Sequence, residues 1–311
     1  MTAQPAPERT SPPPTARVDN RAIGSHLGMR LLAFFMRILP ARVAYGAALF
    51  PVIWYFLTRK DARDASDLLF DRLGREGGQL KRWAFALSQI YMYAQVIMDN
   101  IYLGIVGPDR FKINEIGTDL FLNQLKKGKG LLLLSAHMGN WHLAVNFLGN
   151  TQTQVHLVID DARSEAVRKQ MDTAKGRSGH LTLHAVNKGP DLAFELTAAL
   201  RRNEVVIIAG DRSRGEGRRR QIPFLGVPAW FPEAPLLLAA AADAPVCTAL
   251  TFRVGMHTYD CYGLGPFLPP IDCPKKERGA HMVRLFAETL ETFIRKYPSQ
   301  WFNFYDFWKR D

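Results

Sequence analysis

The chain has 311 residues, 47% of them hydrophobic and 22% charged, so it is long enough to form one large domain with its own core. Its formal net charge of +11 favours an anionic partner: nucleic acid, anionic lipid or an acidic carrier protein. The sequence lacks zinc-finger spacing, an aromatic β-platform motif and a basic zipper, so no nucleic-acid partner is predicted. Three cysteines without a Cys-x-x-Cys pair favour buried thiols over a disulfide framework.

The first sixty residues divide into two segments. Residues 1–24 are rich in Pro, Thr, Ser, Ala and Arg, which predicts a disordered extension. Residues 25–60 contain an uncharged run, Val43–Thr58, that Arg59 and Lys60 close. This run is shorter than the ~20 residues of a straight membrane span. A tilted or re-entrant anchor, an interfacial amphipathic helix and a buried core helix all remain open.

Residues 61–311 are predicted to form the main domain, and helical spacing dominates residues 61–128. Beyond residue 130, short apolar runs alternate with helical patterns. The predicted strands are Leu131–Ala136, Val155–Ile159, Leu181–Val186, Val205–Ala209 and Val246–Arg253. The predicted helices are Asp64–Leu73, Leu80–Val106, Gly139–Leu148, Ser164–Ala174, Asp191–Arg201, Pro235–Ala242 and His281–Arg295. This alternation predicts an α/β fold with a mostly parallel sheet covered by helices, after an N-terminal membrane-associated helical segment.

Two of the predicted strands end in reactive side chains. His137 follows the first strand, and Asp211 follows the strand Val205–Ala209. Reacting groups in open α/β sheets collect where strands end and helices begin, so both residues are catalytic candidates. Imidazole is suited to act as a base near neutral pH. We expect the backbone N–H groups of Gly139 and Asn140, at the start of the next helix, to stabilise an oxyanion.

The residues around His137 also resemble a known family. Residues 136–142 read Ala-His-Met-Gly-Asn-Trp-His, similar to the histidine–(four residues)–acid motif of the lysophospholipid (glycerophospholipid) acyltransferase superfamily. The His-x-Gly-Asn-Trp form resembles the late acyltransferases of lipid A biosynthesis, which are lauroyl and myristoyl enzymes. Lys175–Arg177, Gly210–Arg212 and Ile222–Gly226 are similar to three further blocks of that family, in the same order. The resemblance covers roughly residues 28–308.

The resemblance implies an enzyme on the cytoplasmic face of the cell inner membrane. It would move a fatty acyl chain from an acyl-carrier-protein or acyl-CoA thioester to a hydroxyl or amine of a glycolipid or other lipid acceptor. No cofactor and no metal are implied. The catalytic residues implied are His137, His142, Asp211 and Arg177. The implied substrate-binding residues are Gly139, Asn140, Trp141, Arg212, Arg214, Pro223 and Phe224.

Two positions depart from the family pattern. His142 stands where the family carries an acid, and Trp301–Trp308 replaces a Trp-x-x-His-Arg-Arg block. A neutral His142 accepts one hydrogen bond but supplies no negative charge, which leaves Asp211, Asp160 or Asp161 as sources of it. The two histidines also lack the i, i+4 spacing of a zinc pair. The aromatic segment either lines a lipid groove or caps the core. The alternative function is a catalytically inactive lipid- or carrier-binding relative.

Overall fold

The computed structural model describes residues 34–143, 153–159, 180–186, 190–212, 217–268 and 272–309. Several sequence predictions lie outside these ranges. They are the disordered extension 1–24, the helix Ser164–Ala174, the part of the helix Gly139–Leu148 after residue 143, and the roles considered for Asp160, Asp161, Arg177 and Arg214.

Helices and strands alternate along most of the described chain. The helices are α1 (Ala41–Ala47), α2 (Leu49–Thr58), α3 (Lys60–Arg72), α4 (Gln79–Val106), α5 (Asp119–Leu125), α6 (Pro190–Arg201), α7 (Ala234–Ala242) and α8 (Lys275–Lys296). The strands are β1 (Lys112–Ile116), β2 (Leu131–Ser135), β3 (Val155–Ile159), β4 (Leu181–Ala185), β5 (Val205–Ala209), β6 (Arg219–Phe224), β7 (Val227–Pro232), β8 (Val246–Gly255) and β9 (Thr258–Phe267).

Seven strands form one sheet in the order β1-β9-β8-β2-β5-β3-β4. Five of its six neighbouring pairs are parallel, and only β8 and β9 pair antiparallel. The predicted mostly parallel α/β sheet is therefore confirmed. The central strand β2 is buried along its whole length, as expected for a run of four leucines covered on both faces.

Successive residues of β2 supply two cores. Leu132 and Leu134 join a cluster with α6, α7 and α8, whereas Leu131 and Leu133 join a cluster with α5. This division follows from the period of two in a strand, which sends neighbouring side chains to opposite faces. The sheet thus lies in the middle of the domain, with a hydrophobic core on each face.

Three strand regions differ from the prediction. Residues 112–116 form β1 within a segment expected to be helical, and the antiparallel strand β9 was not predicted. The antiparallel β6–β7 hairpin, formed by residues 219–232, was also not predicted. The prediction failed because these strands carry weak apolar signals: β1 is a partly exposed edge strand, β6 begins Arg-Arg-Gln, and β9 contains two glycines and a proline.

Helices α1 and α2 lie against α4. Tyr45 and Ala48 pack near Met98, while Val52 and Phe56 pack near Ala86 and Ile90. The stretch Ala41–Thr58 is, within the described ranges, the single helical segment long and apolar enough to cross a membrane by length and composition, and 28% of it is buried.

Candidate active site

The register of the sheet brings His137 and Asp211 together. Strands β2 and β5 pair in parallel with Ser135 opposite Ala209, and each reactive residue follows two positions later. The Gly210 N–H donates to the Ser135 carbonyl at 2.9 Å, so the pairing continues past the strand ends. His137 Nδ1 then lies 2.8 Å from Asp211 Oδ1, and the His137 backbone N–H donates to Oδ2 at 2.9 Å.

Asp211 supplies the negative charge of this pair. Its side chain is 0% exposed, and burial alone would raise its pKa. The charge and hydrogen bonds of His137, together with the neighbouring Arg212, outweigh burial and lower the pKa of Asp211 to about 2. An ionised carboxylate only accepts hydrogen bonds, so His137 Nδ1 carries a proton and, in the neutral ring, Nε2 carries the lone pair. The His137 side chain remains 34% exposed, which leaves it accessible to a substrate.

His142 occupies a different environment. Asn100 Nδ2 donates to His142 Nδ1 at 3.1 Å, and the ring stacks on Trp141 with centroids 3.6 Å apart. Burial of the ring lowers the pKa of His142 to about 3, although the residue as a whole keeps some exposed surface. His142 is thus a neutral imidazole with its proton on Nε2, while the negative charge beside His137 comes from Asp211. Within the described ranges, no group of three His, Cys, Asp or Glu side chains is placed to hold a metal ion.

The turn after His137 does not provide the expected oxyanion donors. The Gly139 N–H donates to the Gln300 carbonyl at 2.8 Å, and the Asn140 N–H donates to the Thr251 carbonyl at 2.7 Å. Both N–H groups are therefore engaged with protein carbonyls, and this geometry does not support their expected role as oxyanion donors. The turn is enclosed between β8 and the C-terminal segment, so its N–H groups meet protein carbonyls instead of a ligand. The Asn140 side chain is also buried.

A sequence model of the bacterial lipid A biosynthesis acyltransferase family matches residues 34–310. The chain belongs to this family. A search of curated proteins gave no match. The protein is therefore an acyltransferase of lipid biosynthesis. The family consists of membrane-associated bacterial enzymes, and membership implies an acyl donor and a lipid A precursor as acceptor.

Residues 300–309, the C-terminal segment of this acyltransferase, hold the loops that carry His137 and Asp211 in place. The Phe302 N–H donates to the His137 carbonyl at 2.9 Å. Arg212 donates to Asn303 Oδ1 at 2.6 Å and to the Phe302 carbonyl at 2.7 Å, and it also lies over the Tyr305 ring. Arg212 was expected to contact substrate; its observed contacts are with this segment. Sequence reasoning missed the link because the partners are 90 residues apart.

The aromatic residues of this segment mainly complete the core of the acyltransferase. Trp301 and Phe307 are buried and pack against Phe224 of β6. Phe224 is itself fully buried, so it supports the C-terminal segment, whereas Pro223 on the same strand is exposed. Of the two interpretations of the aromatic segment, the core cap holds for Trp301 and Phe307.

A buried polar network behind the site was not anticipated. Asp99 of α4 accepts hydrogen bonds from the Tyr45 and Tyr259 hydroxyls, and Arg253 Nε donates to it at 2.8 Å. His257 Nε2 lies 3.7 Å from the same carboxylate. The adjacent Asp-Asn pair in the mostly apolar second half of helix α4 was the available signal. Since the second residue of that pair, Asn100, contacts His142, α4 connects the N-terminal helices to residues 136–142, which we call the active-site loop.

Proposed function

We propose that this acyltransferase moves a fatty acyl chain from an acyl-carrier-protein or acyl-CoA thioester to a hydroxyl or amine of a glycolipid or other lipid acceptor. The observation that supports it is the 2.8 Å contact between His137 and the fully buried, ionised Asp211. A lipid A precursor is the first acceptor to test, because the family implies it.

His137 acts as the general base in this proposal. Asp211 holds the proton on Nδ1, so the Nε2 lone pair removes a proton from the acceptor as its oxygen or nitrogen attacks the thioester carbonyl. The tetrahedral intermediate then expels the thiolate, and the imidazolium returns the proton to the departing sulfur. Asp211 stays ionised throughout, because its pKa of about 2 lies far below neutral pH, and it stabilises the charged ring.

The contact with Asp211 favours an active enzyme over an inactive relative. An inactive relative was considered because His142 stands at the position where the family carries an acid. His137 already has a carboxylate partner from a neighbouring strand, which supplies both the orientation and the charge that an acid at position 142 would provide.

We place the reaction at the cytoplasmic face of the cell inner membrane. The helical stretch Ala41–Thr58, the net charge of +11 and the membrane association of the family support this location. The donor thioester is then drawn from the cytoplasm, and the lipid acceptor from the bilayer.

The decisive experiment compares the parent with His137→Ala in a thioester-consumption assay. Purified, detergent-solubilised protein is incubated with an acyl-carrier thioester and a lipid A precursor, and both the thiol released and the acylated lipid are measured. We expect His137→Ala to reduce transfer by about 10³-fold, since it removes both the base and the returning acid.

The matched control is His180→Ala, an exposed histidine at the amino edge of the sheet, which should retain the parent rate. Unchanged transfer by His137→Ala would refute the mechanism. A parent protein that binds the carrier but never consumes the thioester would instead identify an inactive relative.

A further inference from the structure

The outer face of α2 carries a row of large apolar side chains. Phe50, Ile53, Trp54 and Leu57 follow the i, i+3, i+4, i+7 spacing and therefore project from one side of the helix. Their exposed fractions run from 48% to 81%. Scattered exposed apolar residues are ordinary, but a contiguous row of this kind indicates a surface with a partner.

This surface extends onto the beginning of α4. Leu80 and Trp83 are also large, apolar and exposed. The Trp83 ring contacts Phe56 with centroids 6.3 Å apart, so α4 meets α2 beside its exposed row. The six exposed residues on the two helices form what we call the docking face: Phe50, Ile53, Trp54, Leu57, Leu80 and Trp83.

The opposite side of the same helix pair is occupied by protein. Val52 and Phe56 are buried against α4, and the Tyr45 hydroxyl donates to the buried Asp99. A helix that crosses a bilayer on its own must be apolar on every side. Here a crossing would carry α4 and the buried ion pair of Asp99 and Arg253 into the hydrocarbon, where charged groups are strongly disfavoured. The 18 residues of Ala41–Thr58 also span only about 27 Å, less than the ~30 Å hydrocarbon core.

The charges beside the docking face identify its occupant. Residues 34–60 contain Arg37, Arg42, Arg59 and Lys60. Exposed ion pairs join Arg59 to Asp61 and Lys60 to Asp64, so the excess positive charge here comes from Arg37 and Arg42. Basic residues flanking an apolar row that includes tryptophan suit the headgroup region of an anionic bilayer. An acidic acyl-carrier protein would match the basic residues, but the six large apolar side chains need an apolar partner as well, and an anionic bilayer supplies both.

We infer that α1 and α2 lie flat in a single leaflet of an anionic lipid bilayer, with the docking face inserted and the α4 side held by the catalytic domain. The helix Ala41–Thr58 then attaches the enzyme without crossing the membrane. Tyr45 of α1 donates a hydrogen bond to Asp99 of α4, and the next residue of α4, Asn100, contacts His142. Helix α1 is therefore linked to the active-site loop through α4. This arrangement permits a lipid acceptor to approach from the leaflet that binds the enzyme. This mode of membrane attachment does not depend on the proposed transfer chemistry.

Vesicle flotation of the full chain tests the attachment. We expect Phe50→Glu/Trp54→Glu to lower partitioning onto vesicles of phosphatidylethanolamine and phosphatidylglycerol at least tenfold. The matched control is Leu122→Glu/Phe194→Glu, which changes two exposed apolar side chains on α5 and α6 and should bind as the parent does. His137→Ala should also bind normally, so a failure of docking and a failure of catalysis give different results. Normal flotation of the docking-face variant with an unchanged melting temperature would overturn the inference.

Depth measurement separates a flat helix from a crossing one. Spin labels are attached to cysteines introduced one at a time at positions 50, 53 and 57, with Cys273→Ser to remove the partly exposed thiol. A flat helix places all three labels at one shallow depth. A crossing helix spreads them over about 10 Å, because seven residues at 1.5 Å each separate the outer two; that result would refute the in-plane geometry. Loss of self-association without loss of vesicle binding in the docking-face variant would show a protein interface instead.

Discussion

At the scale of single residues, His137, the proposed general base, has a carboxylate partner that follows a different strand. The family pattern places an acid five positions after the histidine, but His142 occupies that position here and makes its described hydrogen bond with Asn100. Asp211 instead contacts His137 through both carboxylate oxygens. A double contact fixes the ring and its tautomer better than one hydrogen bond does, since the backbone of the same residue is held as well.

Asp211→Asn tests this assignment. The amide cannot stabilise an imidazolium with a negative charge, and its NH₂ group conflicts with one of the two N–H donors of His137. We expect transfer to fall about 10²-fold or more, as for other supporting members of catalytic constellations. The control is Asp243→Asn, which changes a mostly exposed carboxylate paired with Lys129. Both residues lie near the amino ends of the strands, away from His137. Transfer within twofold of the parent would show that Asp211 has a structural role only.

His142 should matter much less for catalysis. Its glutamine variant keeps an acceptor for the Asn100 amide, and Asp211 still supplies the charge, so we expect His142→Gln to retain transfer within about tenfold of the parent. Because Asp211 already fills the role of the acid, His142→Glu should add no more than a few-fold. A loss in His142→Gln as large as in His137→Ala would make His142 a catalytic group.

The low pKa of His142 also predicts a pH dependence of stability. The folded protein holds this ring neutral down to about pH 3, whereas the unfolded chain protonates it near pH 6.5. The unfolded state therefore binds more protons between these values, and His142 destabilises the fold progressively as pH falls from 6.5 towards 3. The stability of His142→Gln relative to the parent should rise by on the order of 2 kcal/mol between pH 7 and pH 4.5. Thermal denaturation across that range measures it, and a flat difference would contradict it.

At the scale of elements, the active-site loop is shaped by two neighbours distant in sequence. Gly139 has φ +52°, and an added Cβ would overlap the Thr251 carbonyl of β8. On the other side, its N–H bonds to the Gln300 carbonyl in the C-terminal segment. The loop is thus clamped between these two backbone segments, and His137 is positioned by both.

Gly139→Ala should disrupt this arrangement. We expect a loss of stability of at least about 2 kcal/mol, together with loss of transfer, because either the loop or β8 must move. Gly74→Ala is the matched control, since Gly74 also has positive φ but open space around it, so only about 1 kcal/mol of backbone strain applies. Chemical denaturation compares the two variants, and equal losses would show that close packing at Gly139 is unimportant.

At the scale of the whole molecule, α4 joins the proposed docking face to the candidate active site. Its first turns carry Leu80 and Trp83 of the docking face, and its later turns carry Asp99 and Asn100 beside the active-site loop. Helices α1 and α2 run along it in the opposite direction, with Phe56 near Trp83 and Tyr45 bonded to Asp99. Removing these helices would strip apolar cover from α4 as well as the attachment, so surface substitutions test membrane binding more cleanly than truncation.

Local sequence was sufficient for the central fold. Leu131–Ser135 and Val205–Ala209 are apolar throughout, and only a strand buried on both faces accounts for such short runs between helical patterns. The same pattern placed His137 and Asp211 at strand ends. Edge and hairpin strands such as β1 and β6 were missed, because partly solvent-exposed strands tolerate polar residues and lose the apolar signal.

What the sequence determined by itself was the α/β class, the strand ends that carry the reactive residues, and the resemblance to an acyltransferase family that the family match bears out. Only the tertiary structure decided which carboxylate serves His137, since that depends on the β2–β5 register. It also decided that the N–H groups of Gly139 and Asn140 bond to Gln300 and Thr251. In both cases the hydrogen-bond partners lie 74 to 161 positions apart in the chain. Local sequence patterns do not encode such long-range pairings.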